Sequence, residues 1–444
     1  MIKRMIKKIL HKTNSHKTQK LDKTQHTLRS NMLSSAAKKT VTLLHQAGYE
    51  AYIVGGAVRD LLLERRPKDF DVATNATPDE IRKVFKKRSR IIGKRFPIVH
   101  VFVGREIVEV TTFRGNTDNH NEHGRIMRDA TFGTRQTDAQ RRDFTCNALY
   151  YDPITESIFD DVGALKDIHN HQLVMIGNPT ERFREDPMRI LRAVRLSSKL
   201  DFEITTDIKD AILTHSHLLK SEPAARIFDE ISKEILCGQA NKCFLQLEEL
   251  GIPADTHPIF EITNNARQSA GKQFLHTVLI KTDERIKQDK PVAVAFVLAA
   301  LMWSEVEKQQ QQNMAQEMPP SPAMQTAIKQ VIRNNESNWG MPRRLLSMMR
   351  DIWHLQPQLE IIKGKRPLRL LSQPSFRAAY DFYLLRSQCN NASEEKAQWW
   401  TYFQKASSEE REKMLFPPQE QLPKKTKKRT RRKKKTTTQT EQTT

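Results

Sequence analysis

The stretch YIVGGAVRDLLLERRPKDFDVATN, Tyr52 to Asn75, places a glycine pair, an Arg-Asp dipeptide and an Asp-x-Asp close together. The apolar run Ala51–Val54 reads as a short strand, the glycines as a turn, and AVRDLLL as the start of a helix. The run Asp69–Ala73 alternates and reads as a second strand. Residues two apart on a strand share a face, so Asp69 and Asp71 present two carboxylates side by side. Two like charges so near are costly unless a cation lies between them, and an all-oxygen donor set suits Mg²⁺ or Mn²⁺. Gly55 and Gly56 let the backbone at a helix start approach a phosphate chain. Arg59, one turn into that helix, is positioned to pair with a phosphate or to hold a carboxylate. The glycine spacing fits neither a dinucleotide fold nor a Walker loop.

Working outward, Asn31–Gln46 reads as an amphipathic helix stopped by Gly48, and TPDEIRKVF carries a capping box with Thr77 as N-cap. IVHVFV (98–103) and EIVEVTTF (106–113) read as two strands joined at Gly104-Arg105. The second of these carries Glu109. If it neighbours the Asp69–Ala73 strand, three acidic groups converge, the layout for nucleotidyl transfer with two metal ions. From Arg141 onward helices dominate: Glu181–Leu200 reads as one basic amphipathic helix, PVAVAFVLAALMW (291–303) as a buried core helix, and Gln309–Pro322 as a loop or linker.

The net charge of +22 is unevenly spread. Residues 1–23 carry +7 and residues 424–444 carry +9, which leaves +6 for everything between. A polyanion is the expected partner, since each Lys or Arg that neutralises a phosphate releases a counterion. Four cysteines without CxxC spacing point to a reducing compartment, hence the cytoplasm. No apolar run reaches membrane-spanning length. MIKRMIKKILHK at the start forms a basic amphipathic helix on paper, suited to peripheral contact with an anionic membrane surface or to RNA.

GGAVRD followed by DFD resembles the nucleotidyltransferase head of the bacterial poly(A) polymerase and tRNA CCA-adding superfamily. RRDFTCNALYYDP (141–153) resembles that family's next motif, which implies that Arg142 and Asp143 help hold the nucleotide and its ribose. Cys146 stands where an apolar residue is more usual, and is expected simply to pack. ERFREDPMRILRAVR (181–195) resembles the base-reading helix, with Asp186 and Arg189 three apart and therefore on one face. The resemblance makes these two the adenine selectors. IIGKRFPIVHV (91–101) and the C-terminal half resemble the poly(A) polymerase branch, with Lys94 and Arg95 at the site entrance meeting an RNA backbone. The Lys/Arg tail (Lys424, Lys425, Lys427, Lys428, Arg429, Arg431, Arg432) supplies a sequence-blind grip on RNA.

The resemblance implies an α+β fold, a small mixed-sheet nucleotidyltransferase head followed by an all-helical neck and body. The expected segments are a basic arm (1–30), head (31–170), neck (171–250), body (251–415) and basic tail (416–444). The implied activity is template-independent addition of AMP from ATP to RNA 3′ ends with release of pyrophosphate. Asp69 and Asp71 would be the metal ligands, either Glu109 or Asp143 would complete the catalytic set, and Gly55, Gly56 and Arg59 would cradle the triphosphate. The alternative is a tRNA CCA-adding enzyme using CTP and ATP. An RNA-degradation or RNA-chaperone protein fits such an enzyme as a partner, though no residue identifies one.

Overall fold

Short strands in the N-terminal part, some alternating and some buried on both faces, pair into one mixed sheet. The computed structural model describes residues 18–93, 97–115, 132–268, 271–335 and 339–415. The strands are β1 (Gln19–Leu21), β2 (Ala51–Val54), β3 (Asp71–Thr74), β4 (Ser89–Ile92), β5 (Ile98–Val103), β6 (Glu106–Thr112), β7 (Leu149–Asp152) and β8 (Ser157–Asp160). Their order across the sheet is β1-β8-β7-β2-β3-β6-β5-β4. Every neighbouring pair is antiparallel except β3 and β6. That parallel pair decides the site, because its register sets Asp71 beside Glu109.

The helix Ser35–Gln46 covers the sheet with Ala36, Ala37, Val41 and Leu44 buried at helical spacing. Ser34 caps it by accepting the Ala37 N–H at 3.1 Å, and Gly48 (φ 88°) turns the chain into β2. The helix Pro78–Phe85 begins with the expected capping box: Thr77 N–H donates to Glu80 Oε2 at 2.7 Å and Glu80 N–H to Thr77 Oγ1 at 3.4 Å.

Four local expectations change. The chain does not turn wholly helical at Arg141. β7 and β8 form a hairpin, all but Phe159 buried, that completes the sheet beside β2. Nor is the N-terminal arm only polar chain, since Gln19–Leu21 pairs with β8. The single helix expected over Glu181–Leu200 is two, Pro179–Glu185 and Arg189–Leu200. Pro187 is the cause: its ring drives the preceding residue out of the helical region, and Asp186 is extended at φ −149°, ψ 96°. Finally, Gln309–Ala315 is helical within Trp303–Ala315, leaving only a short turn before the helix Pro320–Asn335. Glutamine is a good helix former, and a run of it is not a breaker.

The chain divides into two units, Met1–Pro357 and Gln358–Thr444. In the first, the sheet is followed, among the described residues, by helices interrupted by the two-residue parallel pair β9 (Gln172–Leu173) and β10 (Glu203–Ile204). Val294–Leu301 is a buried core helix, and Trp353 Nε1 donates to Ala299 O at 3.0 Å within that core. The described part of the second unit is helical. Trp400 donates its indole N–H to Leu359 O at 2.8 Å, and Trp399 stacks on Phe403 at 4.5 Å. Among the described residues no helix is long and apolar enough to cross a membrane. The N-terminal Met1–Lys12, the basic pair Lys94 and Arg95 with Phe96, and the Lys/Arg tail lie outside the described residues.

Candidate active site

A cleft of about 320 Å³ opens where β3 and β6 face the turn before the helix Arg189–Leu200. Asp71, Glu109, Thr111, Asp138, Arg142, Asp143, Asp186, Arg189 and Arg192 all line it. Two of its carboxylates, Asp71 and Glu109, come from the sheet, and the guanidinium groups of Arg142, Arg189 and Arg192 share the same cleft.

Asp71 and Glu109 are register partners, and His100, the antiparallel partner of Glu109 on β5, brings Nε2 to 3.5 Å from Glu109 Oε1. Asp71 stands at the cleft mouth. The crowding around its carboxyl and then the neighbouring Glu109 raise its pKa to about 6, against the pull of Arg142, and Asp69 adds a further push. Asp69 sits just ahead of β3 on exposed irregular chain, not on the strand with Asp71. Among the described residues no three His, Cys, Asp or Glu side chains close on one point, so the expected acidic triad is not a preset cage. The donors present are all oxygen and mutually repulsive, which fits a hard divalent cation drawn in between them.

Arg142 reaches toward Asp71 from a buried frame. Its Nε donates to Tyr150 Oη at 3.1 Å and its Nη2 to Asp138 Oδ2 at 3.1 Å, while Tyr150 Oη donates to the same Asp138 oxygen at 2.6 Å. Burial opposes the charge, but Tyr150 and Asp138 more than offset it and raise the guanidinium pKa.

Asp143 does not join Asp71 and Glu109. Its Oδ2 pairs with Arg192 Nη2 at 2.5 Å, and its Oδ1 accepts the Phe144 N–H at 2.8 Å. Burial would raise its pKa, but Arg192 and that N–H hold it below the ordinary range. It ties the RRDFTCN segment to the helix Arg189–Leu200.

Arg59 does not line the cleft. It is 3% exposed, donates through Nε to Asp60 Oδ1 at 2.8 Å, and reaches Asn147 Oδ1 through Nη1. The cause is the helix it sits on: Arg59 and Asp60 are both on the buried side of Gly56–Leu62. A Cβ on Gly56 would meet the Arg59 guanidinium at 3.3 Å, so the side chain braces the glycine turn from behind. Gly55 has φ 77° and ψ −136°, a conformation open to glycine alone, and its N–H donates to Leu149 O at 3.3 Å.

Asp186 and Arg189 both reach the cleft, across the proline break and not along one helix. Asp186 Oδ1 accepts from Arg226 at 3.1 Å, and Arg189 Nη1 donates to Glu185 Oε2 at 2.9 Å and to Arg182 O at 2.6 Å. Arg182 in turn donates to the carbonyls of Arg141 and Arg142 at 2.7 and 2.6 Å. These contacts lock the two segments together. Sequence reasoning did not single out Asp138, Tyr150, Asn147, Arg182, Glu185 or Arg192. Five of the six, all but Asp138, lie inside the two quoted motifs, where position alone could have nominated them. Cys146 is fully buried beside the site, its thiol pushed up to about 12 by burial, and acts as core.

Comparison with known proteins agrees with this architecture. Three family models match: "Poly A polymerase head domain" over residues 51–174, "Probable RNA and SrmB- binding site of polymerase A" over 201–261, and "Polymerase A arginine-rich C-terminus" over 316–435. Poly(A) polymerase I of Salmonella typhimurium is 40% identical over 383 residues, covering 83% of this chain and 82% of that one. The Haemophilus influenzae poly(A) polymerase I is 38% identical over 365 residues, covering 80% and 81%. A CCA-adding enzyme of Lactobacillus helveticus is 40% identical over 198 residues, covering 44% of this chain and 49% of that one. Among solved structures, the Bacillus stearothermophilus CCA-adding enzyme in complex with CTP superposes with a TM-score of 0.58 at 26% identity, covering 82% and 80%. Fold, cleft and these likenesses define a nucleotidyltransferase. Within that class, the chain belongs to the bacterial poly(A) polymerase family.

Proposed function

We propose that the protein adds AMP from ATP to RNA 3′ ends without a template and releases pyrophosphate. The observation that carries this reading is the Asp71–Glu109 register pair facing Arg142, in one cleft with Asp186 and Arg189. The likeness to poly(A) polymerase I over four-fifths of the chain, C-terminal half included, favours this branch over CCA addition.

In this reading Asp69 and Asp71, with Glu109 beside them, would hold Mg²⁺ or Mn²⁺, which when bound supplies activation of the attacking 3′-hydroxyl and charge neutralisation at the leaving pyrophosphate. Arg142, held cationic by Asp138 and Tyr150, meets the phosphates. Gly55 and Gly56 let the chain turn beside the triphosphate without a side chain in the way, and Arg59 braces that turn. Asp143 fixes the distance between the head and the helix that carries Arg189 and Arg192. Asp186 accepts an adenine amino hydrogen and Arg189 donates to a ring nitrogen, together imitating a base-pair edge. The present partner of Asp186, the half-exposed Arg226, is exchanged for the base at small cost, whereas Arg189 turns to the base from a largely buried contact with Glu185.

RNA is the macromolecular substrate, gripped through the helical neck and body, Lys94 and Arg95, and the Lys/Arg tail. The proposed segments are the arm, head, neck, body and tail drawn from the sequence, and the working compartment is the cytoplasm. Primer extension tests the reading. An unstructured RNA and a tRNA lacking its CCA end are each incubated with Mg²⁺ and ATP alone, CTP alone, or both. Long ladders from ATP alone on the plain RNA are expected. Products that stop after three additions on the tRNA, and only with CTP present, would overturn it in favour of CCA addition.

A further inference from the structure

Cys237 and Cys243 play no part in the cleft, yet their sulfurs lie 3.5 Å apart across the turn between two neck helices. Cys237 follows the helix Ala224–Ile235, Gly238 reverses the chain at φ 80°, and Cys243 sits in the first turn of the helix Ala240–Glu249. Both helices support Arg189–Leu200: Glu230 pairs with Arg195 at 2.6 Å, and Gln246 accepts from the Ser197 and Ser198 hydroxyls at 2.7 and 2.8 Å. Cys243 is buried, whereas Cys237 is partly open to solvent.

We propose that Cys237 and Cys243 form a reversible disulfide on exposure to a hydroperoxide, making this turn a redox-modification site. The roles of the two sulfurs follow from their surroundings. Cys237 lies beside the Gln239 N–H at the start of the following helix, which favours its thiolate, while the next two N–H groups, of Ala240 and Asn241, donate to Asp283. The Cys243 thiol stabilises that thiolate first, burial opposes it, and the Gln239 N–H adds to it, with a net lowering of the Cys237 pKa. Cys243 is held in the thiol form by the same contact and by burial. The partly exposed, low-pKa sulfur is the attacking group and the buried one resolves.

The Cys237 thiolate displaces hydroxide from the peroxide O–O bond and becomes a sulfenic acid. The Cys243 sulfur then attacks that sulfenic sulfur, the S–O bond breaks, and water leaves. The proton released from Cys237 neutralises the hydroxide. In sum, two thiols and one H₂O₂ give one disulfide and two waters. The sulfurs need only close from 3.5 Å to about 2.0 Å across the turn that Gly238 makes. By contrast, Cys146 is buried with its thiol pushed up to about 12, and Cys389 is buried in the second unit.

The experiment uses the full chain, equimolar H₂O₂, alkylation of remaining thiols and mass spectrometry. Trypsin cleaves after Lys242, so the pair appears as two cross-linked peptides that separate on reduction. The expected result is one such cross-link, formed at least about tenfold faster than oxidation of Cys146 or Cys389, present in the Cys146→Ser/Cys389→Ser variant and absent in Cys237→Ser. Alkylation of both Cys237 and Cys243 after peroxide would overturn the proposal. So would terminal oxidation of Cys237 without a cross-link. The readout is a covalent bond and stands whether or not the RNA-extension reading does.

Discussion

Replacing Arg192 by glutamine removes the cation from a carboxylate that cannot reach bulk water. Asp143 is 9% exposed, and once Arg192 is gone its remaining close contact is the Phe144 N–H at 2.8 Å, with Asn147 Nδ2 at 3.5 Å. Breaking a fully buried ion pair from one side costs about 3–5 kcal/mol. The Arg192 side chain is 42% exposed, so solvent already screens part of the attraction and about 2 kcal/mol is the better figure. That loss predicts amide exchange about 30-fold faster at Phe144 and at Ile176, whose N–H donates to Asp143 O at 3.0 Å. The pH dependence also inverts. In the native protein the lowered Asp143 pKa contributes stability that is complete above the unfolded value and is lost only as pH falls through the folded one. In the variant burial is opposed only by the Phe144 N–H, Arg189 and Asn147, so the Asp143 pKa rises and part of the lost local stability is regained on acidification from neutrality. Hydrogen exchange by mass spectrometry at pH 7 and pH 5.5, corrected for intrinsic rates, reads both effects. Equal protection in variant and parent at pH 7, with no recovery on acidification, would refute the buried-pair argument.

Three further predictions are independent of that one. His257 is 4% exposed, accepts the Ile259 N–H on Nδ1 at 3.2 Å, and has its pKa lowered to about 4 by burial. Below the unfolded value near 6.5 the unfolded chain takes up the proton first, so stability falls as pH drops. Urea titrations should show about 2 kcal/mol lost between pH 7.5 and pH 5 that is absent in His257→Gln. A Cβ on Gly55 would meet only ordinary contacts at 3.7 and 3.8 Å, yet φ 77° strains any other residue. Gly55→Ala should therefore cost about 1–3 kcal/mol in thermal unfolding, from backbone conformation and not from a clash. Deleting Lys424–Lys435 should weaken RNA binding and flatten its dependence on salt while single-nucleotide addition persists. An unchanged salt slope in filter binding would remove the tail from the RNA grip.

What the sequence discloses is local. The Thr77–Glu80 capping box and the Gly48 stop are written in adjacent residues, and both are found. The strand carrying Glu109 was recognisable from alternation, but its parallel pairing with β3 is written in neither strand and appears only in the sheet. The elements that escaped did so for physical reasons. β7 is buried on both faces and shows no alternation. Pro187 breaks a helix whose amphipathic pattern continues through it. The fate of a charged side chain is harder still, because it depends on partners far along the chain. Arg59 turns inward to Asn147, 88 residues away, and Asp143 finds Arg192 on a different element. The Cys237–Cys243 contact needs the turn geometry that Gly238 supplies, which their spacing alone does not give.

The central claim is that Asp71 works as a charge in nucleotidyl transfer. Asp71→Asn keeps the shape of the side chain and removes the repulsion with Glu109. Single-turnover incorporation of labelled ATP onto an RNA primer with Mg²⁺, alongside ATP binding without metal, tests this directly. The account predicts that incorporation is abolished while metal-free ATP binding survives. Incorporation at the parent rate would contradict it.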